Sequence, residues 1–183
     1  FLNNKNKKIR NFFNCKNPKD SLAEFFYVIA NLYSSEKDYQ LSNFYLKISL
    51  FLNNKFLPNK ALLAENFLYQ GKKNMSKNIY DSIKSIGPVY AWHASKKNAL
   101  ILSSMKGPKH SMNKLKNTYD SLLNKNYEHH YELANFYKDN NFHRESIKYY
   151  SLALNNLQTG HYLIPKILDR RGTSFERVGE WES

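Results

Sequence analysis

The sequence predicts an all-α chain of antiparallel helix hairpins repeated along its length. The first observation is a small residue that recurs as Ala30, Ala64, Ala99, Ala134 and Gly172, at spacings of 34, 35, 35 and 38. The second is its companion, Ser42, Ser76, Ser111 and Ser146, always 12 positions later. The third is apolar phase. Tyr33, Phe67, Leu102, Tyr137 and Phe175 stand 3 after the small residue, and Leu46, Tyr80, Leu115 and Tyr150 stand 4 after the serine. Slim side chains on either side of a polar turn let two helix axes approach at the short end of the usual separation of about 8–10 Å. A period of about 34 marks a repeat array in which each unit buries its neighbour's face. Only 6 Gly and 5 Pro argue against a loop-rich β fold.

The clearest unit is Tyr131 to Leu154, where Leu133, Ala134 and Tyr137 form one helical stripe and Ile147, Tyr150, Ala153 and Leu154 another. Between them DNNFHRE is polar and rich in residues that stop helices by bonding their own backbone. The other elements follow from the same phase. Residues 1–22 are a basic lead-in whose apolar content is Ile9, Phe12 and Phe13, expected as the last helix of a preceding repeat. Asn17-Pro18 marks a turn, and Asp20 or Ser21 is expected to cap the next helix. Repeat one spans 23–56, with AEFFYVIANLYSS and QLSNFYLKISLFL as its helices. Repeat two spans 57–91, with Pro58 at a helix start and Gly71 in the turn, where a positive φ costs least. Repeat three, 92–126, is opened by Trp92 and broken by Gly107-Pro108. Repeat four spans 127–164 with a longer connector, and 165–183 is the first half of a fifth. With its second helix wanting, the sequence is expected to be a piece of a longer array.

The period and the small–aromatic–small pattern resemble the tetratricopeptide repeat family, with Ser where the second helix of that motif has Ala. RRGTSFERVGEW, near the end, resembles a segment of long multi-repeat bacterial proteins of this family. The resemblance implies a right-handed superhelical solenoid of about four and a half repeats, whose first helices line an inner groove for extended or helical peptides. The register it supplies puts Tyr27, Asn31, Glu65, Lys96, Tyr131, Asn135, Lys138, Asp169 and Thr173 on that groove. Asn grips a peptide backbone as donor and acceptor, and Tyr adds contact area at little entropic cost. Tyr27 and Tyr131 stand where relatives that clamp a carboxyl terminus place Lys, which turns the expectation away from an acidic chaperone tail.

The rest of the composition excludes more than it assigns. One cysteine, Cys15, permits no internal disulfide and is expected to be a semi-buried thiol. No run approaches the ~18 apolar residues of a membrane span, and FLNNKNKKIRNFF has apolar pieces too short for a signal peptide. The net charge of +13 is regional: residues 1–127 hold 21 Lys and Arg against 7 acids, and 128–183 hold 7 against 8. Lys72, Lys73, Lys77, Lys106, Lys109 and Lys114 form the candidate basic patch, the basis of a rival reading as a nucleic-acid or anionic-surface binder. Residues 11–143 contain no Arg, the usual phosphate fork, so nucleic acid is disfavoured as a partner. His129 and His130 point to different sides of a helix and cannot chelate together, so no metal or cofactor is expected. Gly172 and Gly179 flank TSFERV without the lysine of a phosphate loop. A serine that recurs four times in phase is a packing residue rather than a nucleophile. The expected function is therefore a non-catalytic scaffold or adaptor for a protein or peptide, with a spacer or self-association module as a third reading. Compartment, whether cytoplasmic or bacterial envelope, is not encoded in these residues.

Overall fold

A computed structural model describes residues 13–179. The lead-in around Ile9 and Phe12, and the end of the fifth unit including Trp181, lie outside the described residues. Among these residues every regular element is a helix: α1 (Pro18–Ser35), α2 (Tyr39–Leu52), α3 (Leu57–Tyr69), α4 (Lys73–Lys84), α5 (Pro88–Lys106), α6 (Pro108–Asp120), α7 (Tyr127–Asp139), α8 (His143–Asn155) and α9 (Ile164–Val178). The chain divides into two compact units, the division falling within α5 between Ile101 and Leu102. None of these helices is long and apolar enough to cross a membrane.

In the first unit α1 starts at Asn17, whose side chain accepts from the Lys19 amide, with Pro18 supplying a preset φ inside the helix. The cap expected at Asp20 or Ser21 is therefore corrected. The Asp20 carboxylate instead accepts from the Asn14 amide and from the Asn53 side chain, tying the start of α1 to the end of α2. Asp38 caps α2 by accepting from the Leu41 amide. Ala30 and Ser42 are sealed from solvent, and the Ser42 hydroxyl donates to the Ala30 carbonyl at 2.8 Å. At this hairpin that bond gives the Ser a use that Ala would lack, because the helices are close enough for the hydroxyl to reach the opposing backbone. Leu46, Leu63 and Phe67 complete a core around Ala30, each buried side chain adding roughly 1.5–3 kcal/mol. A second core gathers Ala64, Tyr80, Ile83, Ala94 and Ile101 from α3, α4 and α5. α5 begins at Pro88, so Trp92, expected to open the third repeat, lies a turn inside the helix and is buried. Cys15, expected as semi-buried, is exposed.

In the second unit Asn126 caps α7 reciprocally, its carbonyl accepting from the His129 amide while the His129 ring accepts from the Asn126 amide. The neighbouring His130 turns inward, 2.7 Å from the Tyr119 hydroxyl, and burial pulls its pKa below the usual value. Tyr137 stacks on Tyr149 with ring centroids 5.5 Å apart and planes 2° from parallel. Tyr33 and Tyr45 make the same stack in α1 and α2, at 5.5 Å and 7°. Both pairs sit 3 after the small residue and 3 after the serine. The corners repeat as well. Lys37, Gly71, Asn141 and Gly179, each 7 after the small residue, all take a positive φ of 63°, 74°, 66° and 77°. The α5–α6 corner departs from this, because α5 runs on to Lys106 and the left-handed residue is Gly107.

The phase positions Ala64, Ser76, Ala99, Ser111, Ala134 and Ser146 are all buried. Gly172 is not: it is exposed, and a methyl group built there would meet nothing within 4 Å. Its expected role as a helix-contact residue is therefore corrected. The side chain that α9 presses on its neighbour is Ser174, 2 positions on, which receives a hydrogen bond from Ser146 at 2.9 Å.

Candidate functional site

The expected groove residues divide between the two units. In the first, Tyr27 is half-buried against Phe56, edge to face at 5.3 Å. Asn31 donates its side-chain amide to the Tyr27 carbonyl at 3.0 Å, so its donor half serves its own helix. Glu65 of α3 pairs with Lys97 of α5 at 2.6 Å. The Lys96 ammonium lies 6.0 Å from the centre of the Trp92 ring. Each of these four residues is thus engaged with its own neighbours.

The second unit brings its candidates together. Tyr131 packs 6.2 Å from Tyr150, whose hydroxyl donates to the Asn135 side-chain carbonyl at 2.7 Å. Arg170 of α9 then donates to the Tyr150 oxygen at 2.9 Å and pairs with Asp139 at 2.8 Å. One chain of polar contacts so ties α7, α8 and α9. Burial pushes the Tyr150 phenol up to about 12, with Arg170 pulling the other way. Beside this chain, Lys138, Asp139, Asn141, His143, Thr173 and Arg177 line a cleft of about 450 Å³. Burial holds the Lys138 pKa down, reinforced by Arg170 and Arg177 and opposed by Asp169 and Asp139. Thr173 donates its hydroxyl to the Asp169 carbonyl, and Asp169 itself is exposed. Asn141, His143 and Arg177 were not among the expected groove residues. Their common cleft comes from a corner and from a helix some thirty residues away, which no local pattern links.

The basic patch is also divided. In the first unit Lys72 lies 5.7 Å from the Phe67 ring centre, Lys73 is half-buried, and Lys77 pairs with Asp81 at 2.6 Å. In the second, Lys106, Lys109 and Lys114 are exposed. Among the described residues no group of three His, Cys, Asp or Glu could hold a metal ion.

Hairpins built on a slim pair, stacked aromatics and left-handed corners define a tetratricopeptide-like helical repeat fold. No family model matches the chain, and no curated protein matches it. Among solved structures, BtubC (BKLC) from P. vanneervenii superposes with a TM-score of 0.65 at 15% identity, over 88% of this chain and 75% of that one. YrrB, described as a TPR protein with an unusual peptide-binding site, gives 0.49 at 13% identity, over 91% and 82%. At these identities the likeness to BtubC is one of fold.

Proposed function

We propose that this chain is a non-catalytic scaffold segment that holds a protein or peptide partner against its first helices. The observation that supports this reading is how polar atoms are spent in the second unit. Asn135 gives its carbonyl to Tyr150, and its amide nitrogen has no hydrogen bond among the described residues. A half-buried asparagine held rigid by its own carbonyl is a ready donor to an extended backbone. Tyr131, half-buried one turn away, offers ring area beside it. Buried Ser42, Asn59 and Asn66, by contrast, are occupied in joining helix to helix.

The test is selection of peptide ligands from a displayed random library, followed by Asn135→Ala and Tyr131→Ala. Each substitution is expected to weaken the selected ligands roughly five- to tenfold, the worth of one hydrogen bond or one aromatic contact. Affinities unmoved by both variants sink the reading. So does retention only on heparin that collapses with added salt and vanishes when Lys106, Lys109 and Lys114 become Ala.

A further inference from the structure

We infer that the cleft between the end of α7, the α7–α8 corner and α9 seats an acidic side chain of a partner peptide, with Lys138 and Arg177 as its cationic walls. The inference deepens the scaffold reading and rests on it. Its first support is the local charge balance. The one carboxylate in the cleft wall, Asp139, is taken by Arg170 at 2.8 Å. Among the described residues neither Lys138 nor Arg177 lies within ion-pair distance of a carboxylate. Two cations thus share one cleft, neither of them in an ion pair among the described residues.

The second support is the cost of that arrangement. Lys138 is partly desolvated and stands near Arg170 and Arg177, which together outweigh the pull of Asp169 and Asp139 and make its own charge harder to keep. An oxyanion in the cleft relieves this, and the planar guanidinium of Arg177 can meet it with two parallel N–H donors. Asn141 adds an amide from the corner, and the buried His143 Nδ1 has no hydrogen-bond partner among the described residues. A cleft of about 450 Å³ lies toward the lower end of ligand sites, with room for an acidic side chain and the few peptide atoms beside it.

The third support is what surrounds the cleft. The second unit, residues 102–183, holds 12 basic against 9 acidic groups, and the excess lies before residue 128, away in sequence from the residues that line the cleft. A local cation pair on a near-neutral surface fits a short acidic peptide motif better than a nucleic acid.

The experiment uses the whole chain and two fluorescein-labelled peptides, one carrying consecutive glutamates and the other glutamines at the same places. Anisotropy at an ionic strength of about 0.15 M keeps screening realistic. The glutamate peptide is expected to bind about tenfold tighter, and Arg177→Ala or Lys138→Ala to remove most of that advantage. Lys114→Ala, which deletes an equal charge from an exposed site in the same unit, is expected to leave it intact. Circular dichroism of each variant separates loss of the site from loss of fold. Equal binding of the two peptides overturns the acidic site and leaves the scaffold reading standing. Binding of neither overturns the acidic site, while ligands selected from the random library would still sustain the scaffold. A preference for glutamate that Lys114→Ala erodes as much as Arg177→Ala overturns the local site in favour of diffuse charge. Displacement of the acidic peptide by poly(A) RNA at equal concentration overturns it in favour of a polyanion surface.

Discussion

Between α2 and α3 the first unit is joined by neutral amides sealed from water, whereas between α8 and α9 the second is joined by a half-exposed guanidinium. At the α2–α3 seam Asn66 is fully buried; it donates to Ser42 at 2.7 Å and to Asn43 at 2.9 Å, and accepts from Ser34 at 2.7 Å. A second rung runs from Asn59 through Ser49 to the Ala23 carbonyl. At the α8–α9 seam the residue in the register of Asn66 is Ser174, which reaches only Ser146 across the seam. The polar work has moved: Leu46 and Leu62, apolar at the first seam, become Tyr150 and Arg170 at the second. The difference also decides the fate of a repeated asparagine. Facing Leu46's side of the hairpin, Asn31 turns its amide onto its own helix; facing Tyr150, Asn135 accepts from the phenol. One helical frame therefore accepts two chemistries. At the second, Arg170 and Arg171 reach Tyr150 and Ser151 beside the buried rung of Ser174, which leaves charged groups at the edge of the seam.

The largest expected effect is Asn66→Ala. It strands Asn43, takes the acceptor from half-buried Ser34 and leaves Ser42 with only its bond to the Ala30 carbonyl, and is expected to cost about 3 kcal/mol in urea unfolding. Arg170→Ala, at a partly solvated pair, is expected to cost about 1 kcal/mol and to shrink further as salt is raised. If Arg170→Ala proves the costlier of the two, or Asn66→Ala is the salt-sensitive one, the contrast between the seams is broken.

The alkaline limb sharpens the same contrast. A tyrosine in the unfolded chain gives up its proton near pH 10.0, whereas Tyr150 in the folded chain, raised by burial, does so only near 12. The folded state keeps the proton longer, so this stability is fully present below pH 10 and is lost as pH climbs toward 12. Tyr119 and Tyr137, each also pushed up to about 12 by burial, act in the same sense. Tyrosinate absorbance and circular dichroism followed together are expected to move as one between those limits. Tyr150→Phe is expected to flatten part of the slope; the matching Leu46 of the first seam cannot titrate.

The smallest effect has the opposite sign. Ser76 is buried, but its hydroxyl has no hydrogen-bond partner among the described residues. Ser76→Ala is expected to stabilise by up to about 1 kcal/mol, whereas Ser42→Ala, which removes a used donor, is expected to destabilise. Equal effects at the two serines would erase the distinction between a serine used for bonding and one that only packs.

The hairpins were legible because the slim pair and its apolar companions lie on a fixed local period, and Leu46, Tyr80, Leu115 and Tyr150 are indeed buried. What the period could not reveal is polar and distant. Asn66 meets Ser42 across 24 residues and Arg170 meets Asp139 across 31, and an asparagine reads alike whether it lines a seam or a surface. Local alternatives were also misjudged. Asn17, with a proline behind it, outcompetes Asp20 as a cap because Asp20 is drawn back to Asn14 and Asn53. Of the groove residues, Lys138 and Thr173 do share a cleft, whereas Tyr27, Asn31, Glu65 and Lys96 each have separate partners.

The corners carry a last consequence. Lys37 and Asn141 adopt a backbone that glycine fills at the matching bends, at a local penalty of order 1 kcal/mol for a side-chain-bearing residue. The bend is thus imposed by the two rods that meet there rather than by the amino acid that occupies it. The Lys37 vertex can be rewritten with a fluorophore, an affinity handle or a glycine, and the rods will go on meeting at the same angle.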